Sequence, residues 1–138
     1  MKKVIFDTDI GIDDAMALLF LHHAPDVDLI AITTGFGNAS VSDTTRNALY
    51  MKELFNMSAA VYAGAAMPVG SALGEGYADF VHGKNGLGDI PLTTPMCEAE
   101  ATPAAEAIVE LVRANPHQLS IVAVGRMTNL AMALALDP

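Results

Sequence analysis

Four carboxylates lie close together near the N-terminus, in the run Asp7-Thr8-Asp9-Ile10-Gly11-Ile12-Asp13-Asp14-Ala15. Carboxylates held this close repel one another unless positive charge lies among them. A helix N-terminus supplies a partial positive charge, and a divalent cation supplies far more. Because every ligand would be an oxygen atom, the run favours calcium or magnesium over zinc or copper.

A purely structural explanation exists for each of these carboxylates taken alone. Asp13 or Asp14 could cap a helix, and Asp7 could be a hydrogen-bonded residue at the end of a strand. Capping uses one carboxylate, however, and leaves the other three without a role. The four together therefore predict a cation site.

Strands and helices alternate along the chain. Short β-branched and aromatic runs predict four strands, at residues 3–7, 28–34, 60–62 and 119–124. Apolar periodicity and capping residues predict helices at 13–24, 42–57, 103–114 and from 130 to 136. Ser42 or Asp43 is expected to cap the second helix, and Thr102 the third. This alternation predicts an α/β fold with a mostly parallel open sheet and flanking helices.

Polar residues follow several of the predicted strands. Asp7 and Asp9 come after the first strand, Asn38 after the second, and the segment 125–129 after the last. Ligands of open parallel sheets bind at the carboxyl ends of the strands, so these residues are expected to meet there. Residues 64–101 are rich in glycine and proline and predict a long loop, which is often functional in a compact domain.

Composition narrows the classes of partner. The formal net charge of −9 over 138 residues argues against binding to nucleic acid or to an anionic membrane. No apolar run is long enough to span a membrane, and Asp7 comes too early for a signal peptide. Cys97 is the only cysteine, so no internal disulfide can form. A cytoplasmic, single-domain protein is the expectation.

The acidic run resembles the signature of the inosine-uridine-preferring nucleoside hydrolases, Asp-x-Asp-x-Gly-x-Asp-Asp-Ala after the first strand. Further segments resemble that family in the same order along the chain: Thr33-Thr34-Gly35-Phe36-Gly37-Asn38, Thr45-Arg46-Asn47-Ala48, Val81-His82-Gly83-Lys84-Asn85-Gly86-Leu87-Gly88 and Val122-Ala123-Val124-Gly125-Arg126-Met127-Thr128-Asn129-Leu130-Ala131. The resemblance implies a Rossmann-like core, calcium as the cofactor and a nucleoside as the substrate. It also implies a homodimer or homotetramer.

The same resemblance assigns residues to the hydrolysis of the bond between ribose and nucleobase. Asp9, Asp14 and the backbone carbonyl of Val124 would bind calcium. Asp13 would be the general base that takes a proton from the attacking water. The transition state would resemble an oxocarbenium ion, which nearby carboxylates stabilise.

Three further residues receive roles from the resemblance. Asn38 would hydrogen-bond ribose hydroxyls, and Asp7 would orient the metal ligands from outside the ligand set. His82 would bind the nucleobase or help to protonate it as it leaves, since histidine titrates near neutrality. The nucleobase preference does not follow from these residues.

Two features depart from the family pattern. Arg126-Met127 stands where the family has a small residue or proline followed by leucine, which places a bulky charge next to Val124. Family members are also longer, and their later half supplies another Asp ligand together with ribose- and base-binding residues. Residues 1–138 are therefore expected to form the N-terminal part of one truncated domain. The isolated chain is expected to be inactive or weak, and to associate through an uncovered sheet edge.

Two alternatives remain open from the residues. A haloacid dehalogenase-type phosphatase also has a strand that ends in Asp-x-Asp, as at Asp7 and Asp9. That signature requires Thr or Val where this chain has Gly11, and it does not call for Asp13 and Asp14. The second alternative is a metal-binding remnant that keeps the fold and has lost the catalysis.

Overall fold

A computed structural model of the chain describes residues 1–72 and 76–138. Its core is one parallel sheet in the order β3-β2-β1-β4, formed by β1 (Lys2–Thr8), β2 (Val27–Thr34), β3 (Ala60–Ala63) and β4 (Leu119–Ala123). All four predicted strands are therefore present, and every pair is parallel. The fold class is α/β, as the alternation of elements predicted.

Within residues 1–72 and 76–138, five helices accompany the sheet: α1 (Ile12–His23), α2 (Val41–Leu54), α3 (Asp79–His82), α4 (Ala104–Ala114) and α5 (Thr128–Leu136). Right-handed crossovers place α1 and α2 on one face of the sheet and α4 on the other, because β4 lies on the opposite side of β1 from β2. The short helix α3 lies within the segment predicted as a long loop, of which residues 73–75 are outside the described part of the chain.

Alternating side chains of β1 divide the core into two clusters. Val4 and Phe6 pack with Leu18 of α1 on one face, while Ile5 packs with Ile108 of α4 on the other. This alternation is the period of two that a strand buried on both faces requires. The β1 strand is thus held from both sides, and its carboxyl end is a rigid base for the residues that follow.

The capping predictions for α2 and α4 were wrong. Ser40 caps α2, since its Oγ accepts a hydrogen bond from the Asp43 amide at 3.1 Å, so the helix starts one residue earlier than predicted. For α4 the N-cap position is Pro103, whose ψ of 147° is extended, and not Thr102. The α2 helix also ends at Leu54, before Asn56 takes a positive φ of 51°.

The segment after α3 is tied to the rest of the fold. The Glu100 amide donates to the Val61 carbonyl at 2.8 Å, and the two chain segments form a parallel bridge at Tyr62. This bridge covers part of the outer edge of β3. In the part of the chain that the structure describes, no helix is long and apolar enough to cross a membrane.

Candidate active site at the carboxyl end of β1

The end of β1 places Asp7 inside the protein, where it is 1% exposed. Its Oδ1 accepts hydrogen bonds from Thr33 Oγ1 at 2.6 Å and from Asn129 Nδ2 at 2.9 Å. Burial raises the pKa of Asp7, although both hydrogen bonds oppose the rise. Its backbone carbonyl accepts from the Val124 amide at 2.9 Å, so Asp7 also fixes the start of the segment after β4.

Asp9 and Asp14 are buried side by side, at 8% and 5% exposure. Asp9 Oδ2 accepts from the Asn38 amide at 2.8 Å, and Asn38 Nδ2 donates to Asp14 Oδ2 at 3.0 Å. Asn38 thus joins the two carboxylates, one through its backbone and one through its side chain. The pKa of Asp9 is raised by burial and then by the charge of Asp14. Burial is also the largest cause of the raised pKa of Asp14.

The other two predicted residues of this region lie further out. The Asp13 side chain is 83% exposed, and its Oδ1 is 3.9 Å from His82 Nδ1. His82 is the last residue of α3, and its side chain is 13% exposed. The four carboxylates therefore occupy three different environments: Asp7 lies under the cluster, Asp9 and Asp14 form its buried centre, and Asp13 is at its rim.

Two glycines bring the backbone of their loops close to Asp9. An ideal Cβ on Gly37 would lie 1.9 Å from Asp9 Oδ2, and one on Gly125 would lie 2.9 Å from Asp9 Oδ1. Any side chain at Gly37 would therefore displace the carboxylate. The glycines after β2 and β4 allow the two loops to approach Asp9 closely, which is why this carboxylate is buried at a sheet edge.

The oxygen ligands present here suit a hard cation. The charge of Asp14 raises the pKa of Asp9, and neither buried carboxylate has a cationic partner within salt-bridge distance among the described residues. The buried Thr8 hydroxyl makes no hydrogen bond of regular geometry, although its proximity lowers the pKa of Asp14. No group of three or more His, Cys, Asp or Glu side chains within residues 1–72 and 76–138 could hold a metal by itself. A cation bound here would thus need further oxygen ligands, such as backbone carbonyls, hydroxyl groups or water.

Arg126 is next to the cluster. Its guanidinium carbon lies 5.1 Å from the centre of the Phe36 ring, a cation–π arrangement over a buried aromatic side chain. The charge of Arg126 lowers the pKa of Asp9. The departure from the family pattern at this position therefore adds positive charge beside Asp9.

Asn129 has a larger role than the sequence indicated, where it was only one residue of a matching segment. Its Nδ2 donates to the Thr34 carbonyl at 2.9 Å as well as to Asp7, and its Oδ1 accepts from the Ala65 amide at 2.9 Å. Asn129 is 2% exposed and connects the ends of β1, β2 and β3 to α5. The signal available in the sequence was the presence of this asparagine in the family-matching segment that also carries Val124.

Curated proteins are similar to this chain along nearly its whole length. Uridine nucleosidase 1 of Arabidopsis thaliana is 42% identical over 137 residues, which cover 99% of this chain and 40% of that protein. Non-specific ribonucleoside hydrolase RihC of Salmonella newport is 39% identical over 135 residues, covering 98% of this chain and 44% of that protein. The chain thus spans less than half the length of the curated relatives that it matches.

Solved structures show the same fold. The plant nucleoside hydrolase PpNRh1 superposes with a TM-score of 0.95 at 41% identity, over 99% of this chain and 43% of that one. A purine-preferring ribonucleoside hydrolase from Gardnerella vaginalis superposes with a TM-score of 0.95 at 34% identity, over 99% of this chain and 44% of its own. The family model described as inosine-uridine preferring nucleoside hydrolase matches residues 4–138. The chain therefore belongs to the inosine-uridine preferring nucleoside hydrolase family.

Proposed function

We propose that the protein hydrolyses the N-glycosidic bond of ribonucleosides, releasing ribose and a free nucleobase with the help of calcium. The observation that carries the proposal is the buried pair Asp9 and Asp14, joined by Asn38 at the carboxyl end of β1. The relatives that match nearly the whole chain are named uridine nucleosidase and ribonucleoside hydrolase, and these names support this reaction. Family membership leaves the phosphatase alternative without support.

Asp9, Asp14 and the carbonyl of Val124 would hold the calcium ion. When bound, calcium would lower the pKa of a water molecule and orient the ribose hydroxyls. Asp7 contributes by accepting the Val124 amide at 2.9 Å, which holds the backbone that carries the proposed carbonyl ligand. Its own carboxylate is engaged by Thr33 and Asn129, so Asp7 supports the ligands from beneath them.

Asp13 would be the general base. Its carboxylate is exposed at the rim of the cluster, where a proton taken from water can leave to solvent. The transition state would have oxocarbenium character, and the nearby carboxylates would stabilise it electrostatically. Asn38 lies against Asp14 and would hydrogen-bond the ribose hydroxyls. His82 would contact the nucleobase through Nε2, because Nδ1 already accepts a hydrogen bond from Ile12.

The described residues supply fewer oxygen ligands than a calcium ion binds. Calcium takes about six to eight oxygen ligands, and the chain offers two buried carboxylates and one proposed carbonyl. The chain spans 40–44% of the relatives compared, which supports residues 1–138 as the N-terminal part of a single nucleoside hydrolase domain. The remaining ligands, ribose contacts and base contacts would come from the rest of that domain. A homodimer or homotetramer and a cytoplasmic location remain predictions.

The test separates metal binding from turnover. Calcium binding is measured by titration calorimetry, and ribose release from uridine and inosine is measured with and without calcium. Asp9→Asn and Asp14→Asn are expected to lose calcium binding and turnover together. Asp13→Asn is expected to keep calcium binding and to lose turnover by about a hundredfold or more, the usual contribution of a general base.

Asp26→Asn is the matched control, since Asp26 is exposed in the turn before β2. It is expected to change neither measurement. Calcium binding without hydrolysis of any ribonucleoside by the intact protein would favour the non-catalytic alternative. Equal hydrolysis of nucleosides after removal of calcium would contradict the assignment of Asp9 and Asp14 as calcium ligands.

A further inference from the structure

The first turn of α1 has no cap of its own. The N-cap residue is Gly11, which has no side chain to accept a hydrogen bond from the first helical amides. Asp14 Oδ2 accepts from the Gly11 amide at 2.8 Å, which satisfies the amide just before the helix. The Ile12 amide, the first inside the helix, still needs an acceptor.

That acceptor comes from far along the chain. The Ile12 amide donates to His82 Nδ1 at 3.2 Å, across 70 residues of sequence. The imidazole and the Asn38 amide also lie where a side chain at Gly11 would be, since an ideal Cβ there would be 2.5 Å from Asn38 Nδ2, 2.8 Å from His82 Nδ1 and 2.9 Å from His82 Cε1. Glycine at the N-cap position therefore makes room for a histidine from another segment.

The loop that follows His82 is clamped in this position. The Asn85 carbonyl accepts from Asn47 Nδ2 of α2 at 2.8 Å, and Leu87 is 7% exposed within the main core cluster. The His82 carbonyl itself accepts from the Gly88 amide at 2.7 Å. Because the loop is anchored to α2 and to the core, it can hold the imidazole against α1.

We infer that His82 is the N-terminal cap of α1, supplied from α3, and that it thereby positions Asp13 and Asp14. Both carboxylates lie in the first turn of α1, and Asp14 reaches back to the Gly11 amide beside the one that His82 accepts. Since Nδ1 is the acceptor, the ring proton of the neutral imidazole is on Nε2. His82 is a positioning residue in this respect, and the importance of positioning for catalysis rests on the proposed function.

The test compares two substitutions at one position. In His82→Asn the side-chain oxygen can stand where Nδ1 stood, whereas His82→Ala leaves the Ile12 amide without an acceptor. Amide hydrogen exchange of Ile12 and Gly11 is measured by NMR, Gly11 being the reporter of the Asp14 carboxylate. His82→Ala is expected to speed exchange at both amides about fivefold, the effect of losing about 1 kcal/mol of capping. His82→Asn is expected to restore most of the protection.

A direct signature accompanies these variants. Nitrogen–nitrogen scalar coupling across the hydrogen bond is expected between the Ile12 amide and His82 Nδ1 in the unsubstituted protein. His22→Ala is the matched control, because His22 lies in the last turn of the same helix. It is expected to leave exchange at Ile12 and Gly11 unchanged.

Three results would overturn the inference: no coupling between the two nitrogens, His82→Asn behaving like His82→Ala, or His22→Ala speeding exchange as much as His82→Ala. These readouts need neither calcium nor substrate. Failure to hydrolyse nucleosides, with the coupling present, would therefore count against the proposed function and leave the cap in place.

Discussion

Burial raises the pKa of three carboxylates at the end of β1, those of Asp7, Asp9 and Asp14. Desolvation is the largest cause in each case, and for Asp9 the charge of Asp14 comes next. Neighbouring acidic groups that are hard to ionise in the folded protein cost stability unless a cation compensates them. The cluster thus has the character of a functional site: without a bound cation, its buried carboxylates destabilise the folded protein.

This cost predicts how stability depends on pH. Each folded-state pKa lies above the ordinary value of 3.8, so the folded protein binds protons more tightly than the unfolded chain. Without metal, the free energy of unfolding is expected to fall as pH rises from 3.8 through the raised pKa values. Calcium, which binds the ionised carboxylates, is expected to offset this fall.

Thermal unfolding in metal-free buffer from acidic to neutral pH checks this prediction. The decrease with pH is expected to be smaller in Asp9→Asn, which removes one of the two adjacent charges. A metal-free protein that becomes more stable over this range would contradict the prediction.

A substitution at Gly37 tests the close approach around Asp9. Gly37→Ala places a methyl group where Asp9 Oδ2 now lies, 1.9 Å from the ideal Cβ, so the carboxylate must move. It is expected to destabilise the protein by about 1–3 kcal/mol and to weaken calcium binding. Chemical denaturation and calorimetry measure the two effects.

Gly35→Ala is the control from the same turn. The nearest atom to its Cβ is Asn129 Nδ2 at 3.6 Å, an ordinary contact. It is expected to change calcium affinity little. Equal loss of calcium affinity in both variants would show that the turn as a whole matters and that the contact with Asp9 does not.

At the scale of elements, each predicted strand and helix exists, and the errors are the short helix α3, predicted as loop, and the ends of elements. Hydrophobic periodicity extends over a whole element, so it locates the element well. A cap depends on which side chain turns back to the first amides, and neighbouring serines cannot be distinguished by type. The sequence predicted Ser42 or Asp43 as the cap of α2, while the structure uses Ser40.

Paired substitutions test this correction. Ser40→Ala removes the acceptor of the Asp43 amide and is expected to lower the free energy of unfolding by about 1 kcal/mol. Ser42→Ala is expected to change it little, because Ser42 is exposed within the first turn of α2. Denaturant unfolding of both variants measures the difference, and a larger loss in Ser42→Ala would restore the sequence-based assignment.

At the scale of the whole molecule, the sheet ends at β4 within the described residues, with β1 as its only partner. All five β4 residues are half-buried, and apolar side chains of α4, α5 and β4, among them Ile108, Ile121 and Leu134, line a cavity of about 260 Å³ nearby. A strand with one free edge and apolar neighbours is prone to pair with another chain.

Isolated residues 1–138 are therefore expected to self-associate through the free edge of β4. Sedimentation over a range of concentrations should show an average mass above 14.4 kDa that rises with concentration. Ser120→Lys, which puts a charge on β4, is expected to reduce the association, since charged residues protect edge strands. Ser58→Lys, at an exposed position before β3, is the control and should leave association unchanged. A monomer at all concentrations would contradict this expectation.

Much of the molecule followed from the sequence alone. The four strands, the parallel α/β architecture and the meeting of Asp9 with Asn38 at the strand ends were all predicted. They follow from local features: apolar period, turn residues, and the rule that the strand ends of a parallel sheet share one edge. The family resemblance was likewise confirmed, since the family model matches residues 4–138. It could be found in the sequence because the acidic run is a continuous stretch with fixed spacing.

Only the tertiary structure decided the burial and the contacts of the individual site residues. It buries Asp14 and exposes its neighbour Asp13, brings His82 across 70 residues to the first turn of α1, and places Arg126 over Phe36 beside Asp9. Such contacts join segments far apart in sequence, and they form only when loops close and side chains pack into a particular remaining space. Residue types and short-range spacing do not specify that space, whereas they do determine the elements, the parallel α/β class and the chemistry of the acidic cluster.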